Sequence, residues 1–460
     1  MVLGKNKYWS SLAIFYLLFF SVGIAQVQST QLQLPNIPQP SLLPPNSPQP
    51  LNLNRGFPSS TTPNTPSRSQ QQYQRHLQQQ QKERQRGQQL EQVLREDAQE
   101  AERRAAEVRA LRNSRVNYDF PTNAHLHGTS SYRSAFTKLL DMDDSTYSIT
   151  KAVFTTEDAF FDNKGDFSYL DEAMSDIASF LLNKMADEGI NTEDNVAKNL
   201  MIYRFFADTM QLENGSFHLP YEYDFEDYRG RKDHRKLMVI KLMTENSGQC
   251  HSLPLLYLMI AEYMKAEAYL VYAPNHTYIK FPLPDGGFQN IELTSKIFNS
   301  DLHVVRSGFV KAEALQNKLY MQPLTDRQLL SENLTDLAKS YIAKYGYSPF
   351  VKEVIDSAII KDPNNIPAHL VKSNYYTYRC FFIDRQLRVT NENFEQKKRQ
   401  YPKLKQAYEE RDEIYSTIDK LGYEPMPEEI YQEWLEDMQK EVDQKKNKEQ
   451  FIRLKNIVRQ

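Results

Sequence analysis

The chain has 460 residues, of which 40% are hydrophobic and 25% are charged, and its formal net charge at pH 7 is -3. So small a net charge provides no basic field for nucleic acid or for an anionic membrane surface, and we expect neither as a partner. The mean hydropathy of -0.66 is low for a wholly globular chain, so part of the chain must lack a packed core.

The N-terminus has the three-part pattern of a secretory signal peptide. Lys5 and Lys7 precede an apolar run from Leu12 to Val22, and small residues at 23–25 provide a cleavage site. The run is shorter than the roughly 20 apolar residues of a membrane-spanning helix, so we expect no integral membrane segment. The pattern predicts a signal peptide over 1–25 and an exported protein, either periplasmic or extracellular.

The two segments that follow differ in proline content. Residues 26–66 are rich in Gln, Pro, Ser and Asn, and cannot bury enough apolar surface to offset the entropy of ordering. In residues 67–115 the prolines stop, and Gln, Glu, Arg and Ala favour a helix. We predict a disordered linker followed by a solvated helix. Self-association of this helix as a coiled-coil dimer is the alternative interpretation, although its apolar positions are sparse for a heptad seam.

Aromatic and aliphatic residues become dense from Asn117 onward, and we place a folded domain at residues 116–325. Apolar residues spaced three and four apart predict two helices within it, Tyr169–Glu188 and Thr192–Gln211. Further along, Pro254 fits the first turn of an apolar helix. Three strands are predicted after that helix, at Ala268–Ala273, His276–Phe281 and Phe288–Thr294.

Three residues of this helix-and-strand segment have the chemistry of acyl transfer. Cys250 lies where the helix begins, and free N–H groups and the helix dipole stabilise a thiolate there. His276 opens one strand and Glu292 lies on its neighbour, so a base and an orienting carboxylate are held on rigid elements. A five-residue loop, Leu283 to Gly287, places Glu292 one diagonal step from His276 on the same face. A two-residue turn would place it on the opposite face.

The run "GQCHSLPLLYLMIAEYMKAEAYLVYAPNHTYIKF…NIELT" resembles the transglutaminase-like superfamily, especially its bacterial SirB-type branch. The resemblance covers residues 200–300 closely and 130–330 in outline. It implies an α+β fold with a papain-like core, in which a helix-borne cysteine packs on an antiparallel sheet. It also implies that Cys250 is the nucleophile, His276 the general base and then acid, and Glu292 the orienting acid, where most relatives have Asp.

The activity that this resemblance implies is attack of a thiolate on a carboxamide, formation of a thioester, and transfer to an amine or water. The substrate would be a protein or peptide, with cell-wall peptide as one candidate, and neither a cofactor nor a metal is implied. The Cys250 N–H would be one oxyanion donor, and the second is left open among Gln249, Asn246 and Tyr223. The alternative is a non-catalytic envelope scaffold, because the superfamily includes catalytically silent binding modules.

Neighbouring residues have simpler interpretations. His251 follows Cys250 but is rotated about 100° around the helix, so we predict a surface or capping residue. Asp285 is predicted to be a turn residue at the hairpin tip. Cys380 lies far from Cys250 in a differently organised segment, so we do not expect a structural disulfide between them.

The C-terminal region, residues 326–460, is predicted to be helical. Leu334–Tyr347 and Pro349–Lys361 form a helix pair whose small residues Ala338 and Ala358 resemble those of a tetratricopeptide unit. Because about three such repeats are needed for independent stability, we expect these helices to pack on the catalytic core. The charged, lysine-rich end of the chain is predicted to be a solvated helix.

Overall fold

The structure is a computed structural model, and it describes Gln88 and residues 91–106, 116–143, 145–440 and 444–458. The predicted signal peptide (1–25) and linker (26–66) lie outside the described residues. Of the predicted helix over 67–115, Gln88 and 91–106 are described, and they are helical. That stretch belongs to one compact unit, and all described residues from 116 onward belong to another.

This second unit is an α+β fold, which confirms the predicted class. Its helices are α1 Thr129–Leu140, α2 Ile149–Phe160, α3 Phe167–Asp187, α4 Asn195–Ala207, α5 Val239–Glu245, α6 Ser252–Met264, α7 Asp301–Arg306, α8 Ala312–Gln316, α9 Asp326–Tyr345, α10 Pro349–Lys361, α11 Ile366–Leu387, α12 Phe394–Gln400, α13 Pro402–Leu421, α14 Glu428–Lys440 and α15 Gln444–Val458. Its strands are β1 Met210–Gln211, β2 Phe217–His218, β3 Glu222–Tyr223, β4 Ser247–Gly248, β5 Tyr269–Ala273, β6 His276–Pro282, β7 Phe288–Glu292 and β8 Ile297–Asn299. Within the described part of the chain, no helix is both long and apolar enough to cross a lipid bilayer.

Capping residues set where the predicted helices begin. α3 starts after Asp166, whose carboxylate accepts from the N–H of Ser168, and α4 starts after Asp194 in the same way. The predicted second helix extended to Gln211, but α4 ends at Ala207. The reason is that residues 210–211 leave the helix to pair with β2.

Helix α6 is the centre of the domain. Eleven of its thirteen residues are buried, among them Leu256, Tyr257, Met259 and Ile260 with no exposed area. Full burial of one such side chain contributes about 1.5–3 kcal/mol relative to exposure. The helix packs between α3, α4 and the sheet strands β5 and β6, so its N-terminal end is held firmly in place.

The main sheet has the order β5-β6-β7-β8, with every neighbouring pair antiparallel. Pro282 pairs with Phe288, so the hairpin between β6 and β7 has the predicted five-residue loop. Its turn contains Gly286 at φ 82°, a left-handed conformation that glycine adopts without strain. This register places the start of β6 and the end of β7 on one face, next to the N-terminus of α6.

The C-terminal helices share their core with the N-terminal part of the domain. α9 begins earlier than predicted, because Thr325 and Gln328 form a capping box. The side chains that join α1, α9 and α10 in one hydrophobic cluster include Tyr132, Phe136, Leu334, Leu337 and Val354. The expected packing of this region on the rest of the domain is therefore present.

The last helix departs from its prediction. α15 packs on α4 and β8, and its Leu454 is 1% exposed. The Asn447 side chain accepts from the Phe298 N–H at 2.9 Å and donates to the Tyr203 hydroxyl at 3.0 Å. The prediction of a solvated helix was wrong because the apolar positions between the lysines face α4 and β8.

Candidate active site

A short parallel ladder places Cys250 in front of α6. β3 pairs with β4, with Tyr223 opposite Gly248. A Cβ at Gly248 would lie 2.7 Å from Ser252 Oγ and 2.8 Å from Leu242, so only glycine fits between the strand and the helix. Ser252 Oγ accepts from the Gln249 N–H at 2.9 Å, which fixes the turn that presents Cys250.

The hairpin supplies the other two predicted residues. His276 Nε2 lies 2.7 Å from Glu292 Oε2, and their side chains are 0% and 2% exposed. The second carboxylate oxygen of Glu292 accepts from the N–H of Thr294 at 2.9 Å and from its hydroxyl at 2.7 Å. Because Glu292 occupies Nε2, the Nδ1 atom of His276 is the one available to the thiol.

The structure therefore brings all three predicted side chains together, in the order cysteine, imidazole, carboxylate. A separate hydrogen bond, from the Thr277 hydroxyl to the Cys250 carbonyl, ties the start of β6 to the turn before α6. Sheet and helix are thus connected directly beside the reacting groups. A nucleophile, a base and an orienting acid held on rigid elements form the arrangement that acyl-transfer catalysis requires.

The charges of these groups stabilise one another. Burial raises the pKa of the Cys250 thiol, but the hydrogen bond and charge of His276 outweigh it, so the pKa is lowered overall. Burial lowers the pKa of His276, but the charge of Glu292 and the hydrogen bond to Cys250 raise it to about 10. The pKa of Glu292 is lowered by His276 against the effect of burial. The two opposite shifts favour a thiolate on Cys250 beside an imidazolium on His276, the form in which a cysteine is nucleophilic.

A fourth residue, Tyr431 of α14, completes the site and was missed by sequence reasoning. Its hydroxyl lies 3.2 Å from His276 Nδ1 and donates to Cys250 Sγ at 3.6 Å. Tyr431 is 1% exposed, and Trp434, one helical turn later, packs edge-on against the His276 ring at 5.2 Å. The signal in the sequence was this aromatic pair at i, i+3 in an otherwise charged helix, which indicates a buried stripe but not its partner.

The structure distinguishes among the three candidates for the second oxyanion donor. The amide of Asn246 donates to the Pro220 carbonyl at 2.7 Å, and the amide of Gln249 donates to the Asp224 carbonyl at 2.9 Å. The buried hydroxyl of Tyr223 instead lies beside Cys250 and Tyr431. Burial and the Cys250 charge hold the pKa of Tyr223 well above its ordinary value, so it remains a protonated donor.

His251 has a different environment from the one predicted. It makes no capping hydrogen bond, and its Nε2 lies 2.7 Å from Asp336 Oδ2 at 19% side-chain exposure. Lys339 of α9 lies 3.1 Å from Asp336 and 3.4 Å from Glu332. His251 does occupy the N-cap position of α6, but its side chain neither caps the helix nor lies at the open surface, because α9, distant in sequence, covers this side of the turn.

The group His251, Glu332 and Asp336 could offer three ligand atoms within 4.8 Å of one another. The ammonium of Lys339 and the imidazole of His251 already balance the two carboxylates. The cluster is therefore an ion-pair network in its own right. It lines a cavity of about 350 Å³ that also reaches Cys250 and His276.

The second cysteine is chemically different from the first. Both cysteines are free, as expected from their separation in the sequence. Cys380 has no exposed area, and burial raises its pKa to about 12. Of the two thiols, Cys250 is the one whose pKa is lowered.

No protein-family model matches the chain, and neither does a curated protein or a solved structure. What the site does must therefore be inferred from its own residues and geometry.

Proposed function

We propose that this protein is an exported, cysteine-dependent acyltransferase or hydrolase that acts on amide bonds of a protein or peptide, on a papain-like, transglutaminase-like core. The observation that carries the proposal is the contact series from Cys250 through His276 to Glu292, with the His276–Glu292 pair at 2.7 Å and buried. The signal-peptide pattern of residues 1–25 supports export.

The reaction begins with the ion pair. The Cys250 thiolate attacks the carbonyl carbon of a carboxamide, a C–S bond forms, and the oxygen becomes an oxyanion. The Cys250 N–H and the Tyr223 hydroxyl are the donors on hand to stabilise it. The His276 imidazolium then transfers its Nδ1 proton to the leaving nitrogen as the C–N bond breaks, and ammonia or an amine departs from a thioester.

The second half reverses the proton transfer. Neutral His276 accepts a proton from water or from an incoming amine, whose oxygen or nitrogen attacks the thioester. Collapse of this second oxyanion expels the thiolate and regenerates the ion pair with His276. Glu292 remains ionised throughout and keeps the imidazole oriented. The same thioester serves a deamidase, an amidase, a protease and a transglutaminase, and the acceptor alone distinguishes them.

The second candidate is a non-catalytic envelope scaffold that binds a protein through the same core and the C-terminal helices. The observation in its favour is the burial of the site, since Tyr431 contacts both Cys250 and His276 and is itself 1% exposed. A site that never opened would be a structural network of buried polar groups.

The two candidates differ in the reactivity of Cys250. We would measure its alkylation by iodoacetamide from pH 5 to 10 (about one reading per half unit), with peptide mass detection to separate Cys250 from Cys380. The proposed enzyme labels well below the ordinary thiol range near pH 8.5, and labelling collapses in His276→Ala. Labelling that rises only near the free-thiol pKa, and that has the same rate in His276→Ala as in the wild type, would overturn the proposal in favour of the scaffold.

A further inference from the structure

Helix α14 covers the candidate active site. Tyr431 lies over Cys250 and His276 through its hydroxyl, and Trp434 lies against the imidazole ring. The His276 side chain consequently has no exposed area. Tyr431 and Trp434 thus close the α14 side of Cys250 and His276, whereas the cavity of about 350 Å³ reaches the same two residues from the α9 side.

The position of the Tyr431 hydroxyl is the position that a substrate needs. It lies 3.6 Å from Cys250 Sγ and 3.2 Å from His276 Nδ1. Reacting atoms in a near-attack arrangement are about 3–3.5 Å apart, and a leaving nitrogen must lie within hydrogen-bond reach of Nδ1. Tyr431 and the reacting amide therefore exclude each other.

The contacts that hold α14 at its N-terminal end are polar and lie at the edge of the site. Glu428 accepts from Arg231 and from the Tyr228 hydroxyl, both at 3.0 Å. Glu428 and Arg231 are 26% and 28% exposed, so water can replace these contacts. Asn275 adds one hydrogen bond, to the Met426 carbonyl at 3.1 Å.

The segments on either side of α14 are attached more firmly. Gly422, at the end of α13, packs so closely that a Cβ there would lie 2.3 Å from the Ala314 nitrogen. On the other side, α15 buries Leu454, and Gln450 donates to the Gln289 side chain at 2.6 Å. Helix α14 thus lies between two anchored segments.

We propose that α14, residues Glu428–Lys440, is an autoinhibitory strap that occupies the acyl-transfer site with Tyr431 and must be displaced before an amide substrate can react. The inference rests on the proposed function. In the resting state Tyr431 accepts from the imidazolium and donates to the thiolate, which keeps the ion pair of Cys250 and His276 formed while it is shielded. Displacement of Glu428 from Arg231 is the step that opens the site.

The test compares two adjacent glutamates in the full chain. Glu428→Gln weakens the contact with Arg231, whereas Glu429→Gln changes an exposed neighbour on the same helix. A partly exposed ion pair of this kind contributes up to about 1 kcal/mol, which is about fivefold in an opening equilibrium. We expect iodoacetamide to label Cys250 about fivefold faster in Glu428→Gln and at the wild-type rate in Glu429→Gln. Equal labelling rates in the wild type, Glu428→Gln and Glu429→Gln would overturn the proposal that α14 is an autoinhibitory strap.

A second measurement uses the unmodified sequence and does not depend on a variant that folds. Cys250 is labelled with a bulky iodoacetamide derivative, and hydrogen exchange is then compared across α14 and α15. The strap predicts that labelling removes protection from α14 and leaves the protection of α15 intact. Unchanged protection in α14 would mean that the reagent reaches the thiol with the helix in place, which overturns the inference.

The strap and the proposed function fail in different ways. If Glu428→Gln labels at the wild-type rate while His276→Ala still abolishes labelling at low pH, the strap is wrong and the acyl-transfer site stands. If His276→Ala leaves the rate of Cys250 labelling unchanged, both alone and combined with Glu428→Gln, the proposed function itself fails. A faster Glu428→Gln rate that still depends on His276 supports both.

Discussion

The carboxylate of Glu292 should set the charge state of the entire site, and Glu292→Gln removes that charge while keeping the size of the side chain. Hydrogen bonds between charged groups contribute about 1.5–3 kcal/mol, and one pKa unit corresponds to about 1.4 kcal/mol. Loss of the bond to His276 should therefore lower the imidazole pKa by about one to two units, in the same direction as burial. A less basic His276 stabilises the thiolate less, so labelling of Cys250 near neutral pH should fall by about tenfold or more.

The measurement is the pH profile of iodoacetamide labelling for the wild type, Glu292→Gln and two controls. Glu292→Asp keeps the negative charge on a shorter side chain, so the labelling rate of this variant should lie between those of the wild type and Glu292→Gln. Asp285→Asn changes a hairpin-tip residue whose carboxylate accepts only from the Gly287 N–H among the contacts described, and it should leave the profile unchanged. Thermal unfolding shows whether each variant is folded. A folded Glu292→Gln protein with the wild-type profile would refute the assigned role of Glu292.

Three further predictions concern the rest of the molecule. Gly422→Ala should lower the free energy of unfolding by about 2–4 kcal/mol in urea denaturation, because φ is 91° and the Ala314 backbone leaves no room for a Cβ. Cys380, with its pKa raised to about 12, should remain unlabelled in the native protein and react once guanidinium unfolds it, as mass mapping would show. Asp336→Asn should cost about 3 kcal/mol of stability. The pKa of Asp336 is lowered and the pKa of its partner His251 is raised. The difference in the free energy of unfolding between wild type and Asp336→Asn should therefore be largest between pH 3.8 and pH 6.5, the ordinary pKa values of the two groups, and should shrink at lower and at higher pH.

The parts of the site that follow from local patterns were predictable from the sequence. An apolar run after Pro254 defines α6, and the strand pattern with a five-residue loop places Glu292 near His276. Each of these inferences uses residues within about one hairpin of each other, where period and register decide the geometry. Their catalytic roles remain predictions.

The parts that depend on distant packing were not predictable. Tyr431 reaches Cys250 across 181 positions of sequence, and Asp336 reaches His251 across 85. A pattern of apolar and charged residues shows that a helix has a buried stripe, but not which surface the stripe meets. The same limit explains α15, whose many lysines indicated a solvated helix although Leu454 is buried.

The deep burial of α6 has a consequence for how the molecule can fluctuate. Protein segments open with free energies that range from nearly zero at frayed edges to the global value in the core. Helix α6, with eleven of its thirteen residues buried, is expected to belong to the most stable cooperative unit, and the turn that carries Cys250 is part of its N-terminal end. The covering helix α14 buries Tyr431, but the polar contacts at its N-terminal end are partly exposed. Under the proposed strap, displacement of α14 would therefore be a small local opening, while the geometry around the sulfur persists until the whole domain unfolds.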